Sequence, residues 1–327
     1  MSTSQQRILV NAYGDAGQLA LDRTDLPPPG PGEVRLRQHA IGVNYVDVYF
    51  RTGVYALLSL PGPLGVEASG TVEAVGEGVD PAWRGRRAAY AGLPVGAYAD
   101  VRNIAVDRLL PLPDAIDHDT AAAVLLRGLT AHMLFAYVRP LRPGDTVLVH
   151  AAAGGLGLLL SQWARALGAR VIGTVGSDEK AALARAHGTE CTVVHTREDF
   201  VAATRAFTDG RGADFVVDGI GGDTFPRSLD AAAPFGMVAS IGQVAGEVAT
   251  IDLDRLHASR SIAVSRPGVF RFMADPARYR DGCSAVLHQL AGGLRATIAG
   301  RLPLADAAEA HRHLETGRSA GSLLLTP

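Results

Sequence analysis

Cysteine is scarce in this chain: of 327 residues, only Cys191 and Cys283 carry a thiol. Two thiols so far apart in sequence supply neither a disulfide framework nor a clustered zinc site, and a reducing, cytoplasmic setting is expected. Charge imbalance is missing as well. The formal net charge is −2, so no global field draws the chain to nucleic acid or to an anionic membrane. No stretch interleaves basic with aromatic residues, and nucleic acid is not expected as a main partner. No uninterrupted apolar run reaches the ~18 residues of a membrane span, so no membrane partner is expected. The opening MSTSQQRILV has neither the basic start nor the apolar middle of a signal peptide. What remains is an ordinary globular composition, 47% hydrophobic and 20% charged, in a chain long enough for more than one domain.

The texture changes twice along the chain. From about residue 5 to 115 it reads as short strands broken by turn residues. EVRLRQHAIGVN alternates, with Val34 and Leu36 on one face and Arg35 and Arg37 on the other. LPPPGPGE, Leu26 to Glu33, is a turn between strands, because proline lacks the donor and fixes φ. From about 117 to 264, short apolar runs at Thr146–His150, Arg170–Val175, Thr192–Val194, Phe215–Asp218, Met237–Ile241 and Ile262–Val264 alternate with helical patterns. The patterns Leu156–Leu167 and Asp178–His187 each stop at a glycine, Gly168 and Gly188. Such alternation implies a doubly wound parallel sheet, a Rossmann-type unit. After about 265, helical patterns at Arg278–Gly292 and Leu304–Glu315 precede a last strand, GSLLLTP. A β-rich first part, rejoined by the last part around an inserted α/β unit, explains this order.

The stretch HAAAGGLG, His150 to Gly157, follows a strand and opens a helix. Its spacing A-x-x-G-x-x-G is a relative of the dinucleotide fingerprint, in which small residues let a pyrophosphate approach the backbone and the helix pack on the strand. By spacing alone it also reads, less favourably, as a helix start rich in small residues. At the tip of the next strand, Gly173-Thr174-Val175-Gly176-Ser177, no carboxylate stands where an NAD site places one for the ribose diol. Lys180 follows one turn on. NADP is therefore favoured, although Asp178 and Glu179 lie close by and Lys180 also reads as a solvated helix charge.

AIGVNYVDVYFRTGVY, GVEASGTVEAVGEGV, LLRGLTAHMLF and VHAAAGGLGLLLSQWARALGARVIGTVGSDEK, with SRPGVF and the ending AGSLLLTP, resemble the NADPH:quinone oxidoreductases. These form the zinc-free, zeta-crystallin-like branch of the medium-chain dehydrogenases/reductases. The resemblance runs in order over essentially the whole chain. It implies an α/β protein with a GroES-like β-rich catalytic domain from residues 1–124 and 265–327. A Rossmann domain with a doubly wound parallel sheet is implied over 125–264, with NADPH in the cleft and a homodimer as the assembly. Zinc relatives carry a cysteine and a histidine where Asn44 and Val66 stand, and neither replaces a thiolate or an imidazole, so no metal is expected. Without a Lewis acid, alcohol oxidation gives way to direct hydride transfer from NADPH to a quinone. Two other readings stay open: reduction of the C=C bond of an enone or acryloyl-type substrate, and a dinucleotide-stabilised binding protein of RNA-binding or crystallin-like type.

By resemblance, Asn44 and Tyr49 face the nicotinamide end and Tyr55 the substrate mouth, and these three are the candidate catalytic residues. Thr130, Ala153, Gly154, Gly155, Leu156 and Gly157 are implied cofactor contacts, as are Gly176, Ser177 and Lys180. Gly242 and Arg266 to Gly268 are implied to flank the nicotinamide. Relatives usually carry a tyrosine before the stretch that here reads His195-Thr196-Arg197-Glu198, so His195 or Arg197 is the substitute 2′-phosphate partner. Plainer readings stand beside these. Tyr49 and Tyr55 also read as aromatic packing on a loop from Asn44 to Tyr55, and Asn44 as a turn former. Asp47 and Glu67 read as structural carboxylates, and His150 as structural or a minor contact. Arg51 reads either as an attractor of an anionic substrate group or as an ordinary loop charge.

Overall fold

Prolines between the second and third strands set the first boundary in the computed structural model, which describes residues 3–248, 250–251, 253–256 and 258–327. β1 (Thr3–Val10) and β2 (Leu19–Leu26) pair antiparallel, and the proline-rich turn leads to β3 (Glu33–Val43). Val34 and Leu36 on β3 are buried as the alternation requires, but so is Arg35. β3 is paired on both sides, by β5 (Glu67–Val75) and by β7 (Val101–Ala105). The Arg35 guanidinium is instead satisfied by the Thr3 hydroxyl and the carbonyl of Pro27. Between β3 and β5 lie a helix α1 (Tyr45–Thr52) and the short β4 (Gly62–Pro63). β6 (Arg87–Ala91) and β8 (Leu110–Pro111) extend the same sheet, and the chain then enters α2 (His118–His132).

From β9 (Thr146–Val149) onward, strands and helices alternate as expected. They are α3 (Gly155–Ala166), β10 (Arg170–Val175), α4 (Asp178–Ala186), β11 (Cys191–Val194), α5 (Phe200–Phe207), β12 (Ala213–Asp218), α6 (Thr224–Ala231), β13 (Ala232–Ser240), β14 (Ala263–Ser265), α7 (Val269–Met273) and α8 (Pro276–Ala291). The six strands are parallel in the order β11-β10-β9-β12-β13-β14, so the winding reverses between β9 and β12. Leu148, Ile172, Val216 and Val238 from the central strands pack with Phe200, Phe225 and Leu229 from the helices. Burying each such side chain is worth roughly 1.5–3 kcal/mol. Gly168 and Gly188 follow α3 and α4 with φ of 82° and 100°, the left-handed step that ends a helix.

The chain then forms β15 (Ile298–Pro303), α9 (Ala307–Glu315) and β16 (Ser322–Thr326). β16 lies between β15 and β3 in the sheet β15-β16-β3-β5-β6-β8. Two compact units result: unit 1 from residues 1–126 and 296–327, and unit 2 from 127–295. Residues 265–295, expected with the β-rich domain, belong to unit 2. The reason is α8, which packs closely on α2. A Cβ at Gly282 would lie 2.6 Å from Leu129, one at Gly128 would lie 2.5 Å from Val286, and His132 bonds Asp281 at 2.8 Å. α2 and its π-helical continuation reach Val138 and are long and apolar enough to cross a membrane by length and composition. Of that stretch, 72% is buried inside the protein, as in a core helix.

Candidate active site

In unit 2 the site begins where β9 ends. Ala152 N–H donates to the Thr174 carbonyl at 2.9 Å and Gly154 N–H to the Ala151 carbonyl at 2.9 Å, so the turn is stapled to β10 and to itself. Ala151 takes φ 50°, a left-handed conformation for a residue with a Cβ. Gly157 has no room for a side chain, since a Cβ would sit 2.3 Å from the Ala151 carbonyl oxygen. Gly154 is the N-cap of α3 and contributes no side-chain cap, so the N–H groups of Gly155, Leu156 and Gly157 open the helix without intrahelical acceptors. Ala153 is buried beneath them. This anion-favouring helix start lies at the point where the strand order reverses, the position that binds dinucleotides in doubly wound sheets.

His150 sits under the turn in a buried polar chain that the sequence did not announce. Its Nε2 donates to Ser228 Oγ at 3.0 Å, and Ser228 donates to Asp218 Oδ2 at 2.7 Å. Thr174 Oγ1 lies 3.0 Å from His150 Nδ1 and supplies the remaining hydrogen. Asp218 Oδ1 accepts from the N–H groups of Ile220 and Gly221 at 2.8 and 3.0 Å. The chain joins β9, β10, β12 and α6 at their site-facing ends and suits a neutral imidazole. Burial pushes the His150 pKa down to about 4. The signal for Asp218 and Ser228 was a carboxylate closing an otherwise apolar strand, with a serine on the next helix to meet it.

At the tips of β10 and β11, Ser177 caps α4 by accepting from the Lys180 N–H at 3.3 Å. Gly176 is exposed, and a Cβ there would lie 3.7 Å from His195 Nε2. Lys180 is half-buried, and desolvation lowers its pKa. Gly176, Ser177, Lys180 and His195 are therefore neighbours. Arg197 is committed differently: its guanidinium bonds the Asp178 carboxylate, at 2.9 Å for Nη1, and thereby offsets the acid nearest the tip. Gly242 follows β13, and Arg266 follows β14 and donates to Gln243 Oε1 at 2.8 Å. Thr130 lies on α2, half-buried.

In unit 1 the expected loop from Asn44 is a helix. Asn44 is the N-cap of α1 and Asp47 the third residue of its capping box, with the Asp47 carboxylate accepting the Asn44 N–H at 2.9 Å. The Asn44 amide donates to Glu67 Oε2 at 2.9 Å, and Glu67 Oε1 accepts the Leu126 N–H at 2.6 Å. Gly42 leaves the space for this, because a Cβ there would lie 2.5 Å from Glu67 Oε2. Tyr49 is buried, and its ring meets those of Tyr45 and Tyr55 edge-on, both at 5.2 Å between centroids. Arg51 is neither a loop charge nor an attractor of substrate. It is 1% exposed and forks onto Glu315 at 2.6 and 2.9 Å. Tyr98, His311 and Glu315, the residues around it, carried no local signal beyond a lone histidine on a helical pattern.

Among the described residues no group of three or more His, Cys, Asp and Glu is placed to hold a metal. Asn44 turns its amide N–H to Glu67, and Val66 beside it has no donor atom, so these residues do not fit a zinc ion.

Two family models match the chain: "Alcohol dehydrogenase GroES-like domain" over residues 30–114 and "Zinc-binding dehydrogenase" over 155–282. A quinone oxidoreductase of Pseudomonas aeruginosa is 42% identical, over 98% of this chain and 99% of that protein. A 2-haloacrylate reductase of a Burkholderia species is 36% identical, over 98% of each. The crystal structure of the Escherichia coli quinone oxidoreductase complexed with NADPH superposes with a TM-score of 0.94 at 36% identity, covering 98% of this chain and 100% of that one.

Proposed function

The chain belongs to the quinone oxidoreductase family of the medium-chain dehydrogenases/reductases, and from that premise we propose that it reduces quinones with NADPH and without a metal. The observation that carries the reading is the glycine-rich turn at the β9/β12 switch point, in a chain similar end to end to quinone oxidoreductases. When bound, NADPH would supply a hydride, and a proton from water would complete the two-electron reduction of a quinone to its hydroquinone, leaving NADP⁺. The residues of this chain bind and orient. The N–H groups of Gly155, Leu156 and Gly157 take the pyrophosphate. Ser177, Lys180 and His195 meet the 2′-phosphate, with Arg197 masking Asp178. Gly242 and Arg266 flank the nicotinamide end, and Thr130 adds a cofactor contact. Asn44, its amide fixed by Glu67, works with Tyr49 and Tyr55 on the acceptor side, where the aromatic edges suit a flat ring. No group of high acidity is needed, because the charge on the reduced quinone is delocalised.

Reduction of an enone is the second reading, favoured by the similarity to a 2-haloacrylate reductase. The burial of Arg51 against Glu315 removes the cation that would have suited an acidic enone. The proposal also holds that the enzyme is a cytoplasmic homodimer, pairing along the edge strand β14, near which Phe235 stands 84% exposed. Light scattering on the purified chain tests the dimer. The function is tested by steady-state oxidation of NADPH and NADH against a panel of quinones and enones. Turnover of quinones with NADPH is expected, and no turnover with any quinone would overturn the reading. Lys180→Ala should raise the KM for NADPH on the order of tenfold, one charge-assisted hydrogen bond, and leave that for NADH nearly unchanged. An equal rise for both would remove Lys180 from the phosphate.

A further inference from the structure

A buried chain of hydrogen bonds ties the C-terminal helix α9 to the helix that starts at Asn44. The Arg51 guanidinium, held by Glu315 and by the Gly14 carbonyl at 3.1 Å, lies 3.4 Å from His311 Nδ1. His311 Nε2 lies 3.0 Å from Tyr98 Oη, and Tyr98 Oη lies 3.1 Å from Asp47 Oδ2. The same Asp47 oxygen accepts the Asn44 N–H. The direction of every hydrogen follows from the two ends. A guanidinium only donates, so Nδ1 is the bare nitrogen and Nε2 carries the proton. Tyr98 then accepts from His311 and hands its own hydrogen to a carboxylate, which only accepts. The order closes only with a neutral imidazole. Burial, with Arg51 beside it, holds the His311 pKa at about 3.

Asp47 stands in the first turn of α1 and Arg51 in its last, with Tyr49 between them. One histidine from α9, through Tyr98, therefore grips both ends of the helix. Stability alone does not call for this arrangement. Apolar side chains of similar volume hold a helix as well as a buried ion pair does, without the cost of desolvating charges. What the polar chain adds is directionality, since each donor must meet an acceptor along the line from Arg51 to Asp47.

We propose that His311 and Tyr98 are positioning residues for the acceptor half of the reaction, fixing the start of α1 so that Asn44 is held in working geometry without themselves touching substrate. This rests on the reading that Asn44 works at the reacting end. The test is a double-mutant cycle on the full-length enzyme, with NADPH and 1,4-benzoquinone. Tyr98→Phe and His311→Gln should each lower kcat on the order of tenfold, the scale of a sub-ångström misplacement. The NADPH dissociation constant, read by fluorescence, should not move. In an Asn44→Ala background the same substitutions should cost less than about twofold, because the group they position is gone. Arg312→Ala, on the same helix but in an exposed pair with Glu309, should change nothing. Should His311→Gln fail to fold, Glu315→Gln at the more exposed end of the chain should give a smaller loss of the same kind. Full-sized losses in the Asn44→Ala background would overturn the proposal and leave the reading of Asn44 standing. So would a lowered Tm with kcat unchanged. An Asn44→Ala enzyme with undiminished kcat would instead remove the reading itself.

Discussion

His150 shows how one side chain links the fold to pH. Its folded pKa of about 4 lies below the ordinary imidazole value of 6.5, so the unfolded chain binds the proton more readily. The stability that neutral His150 contributes is thus full above pH 6.5 and is lost as pH falls from 6.5 to about 4. The slope is roughly 1.4 kcal/mol per pH unit for one such group. His150→Gln should be less stable than the parent at pH 7.5, and the gap between their urea midpoints should narrow at pH 5. A gap that stays constant would show that His150 does not titrate on unfolding. The neighbouring Ala151, at φ 50°, makes a second case. The left-handed conformation costs a residue with a Cβ about 1–2 kcal/mol, partly offset by the greater unfolded freedom of glycine. Ala151→Gly should therefore raise the Tm, and a fall would contradict the left-handed geometry.

At the scale of elements, the β9–turn–α3 unit is the least tolerant of added atoms. A Cβ at Gly157 would meet backbone, the Ala151 carbonyl oxygen and Ala152 Cα at 2.3 and 2.7 Å, which cannot swing aside as a flexible side chain can. Gly157→Ala should shift α3 from β9 and weaken NADPH binding at least about tenfold, the scale of one lost charge-assisted contact. Titration by fluorescence checks it, and unchanged affinity would mean that the pyrophosphate does not lie on this turn. This unit was legible because its signals are local: an apolar strand, small residues, then a helical stripe ended by Gly168. α1 is less legible, because Val46, Val48 and Phe50 form no helical stripe. Its true signal was the cap, Asn44 with Asp47 three residues on and Gly53 after the end, at φ 81°. The role of Arg51 could not be read, since its partner Glu315 lies 264 residues away and only the fold brings them together.

At the scale of the whole molecule, the chain begins and ends in the same unit. That much was visible from the return of strand-like texture after the α/β stretch. The boundary was not, because α8 looks like any amphipathic helix, and its place in unit 2 comes from its packing on α2, which only the fold reveals. The closing strand has a consequence for stability. β16 fills the position between β15 and β3, and its Leu323, Leu324 and Leu325 are almost completely buried. Losing the burial of three leucines, at roughly 1.5–3 kcal/mol each, approaches the ~5–15 kcal/mol that holds a typical domain together. Deleting residues 322–327 also strips β3 of one partner. Unit 2 keeps its whole six-stranded sheet within 127–295. The truncated chain should then lose quinone reduction while retaining NADPH binding, seen as a melting transition that NADPH still raises. Loss of NADPH binding together with activity would mean that the dinucleotide unit does not stand without its neighbour.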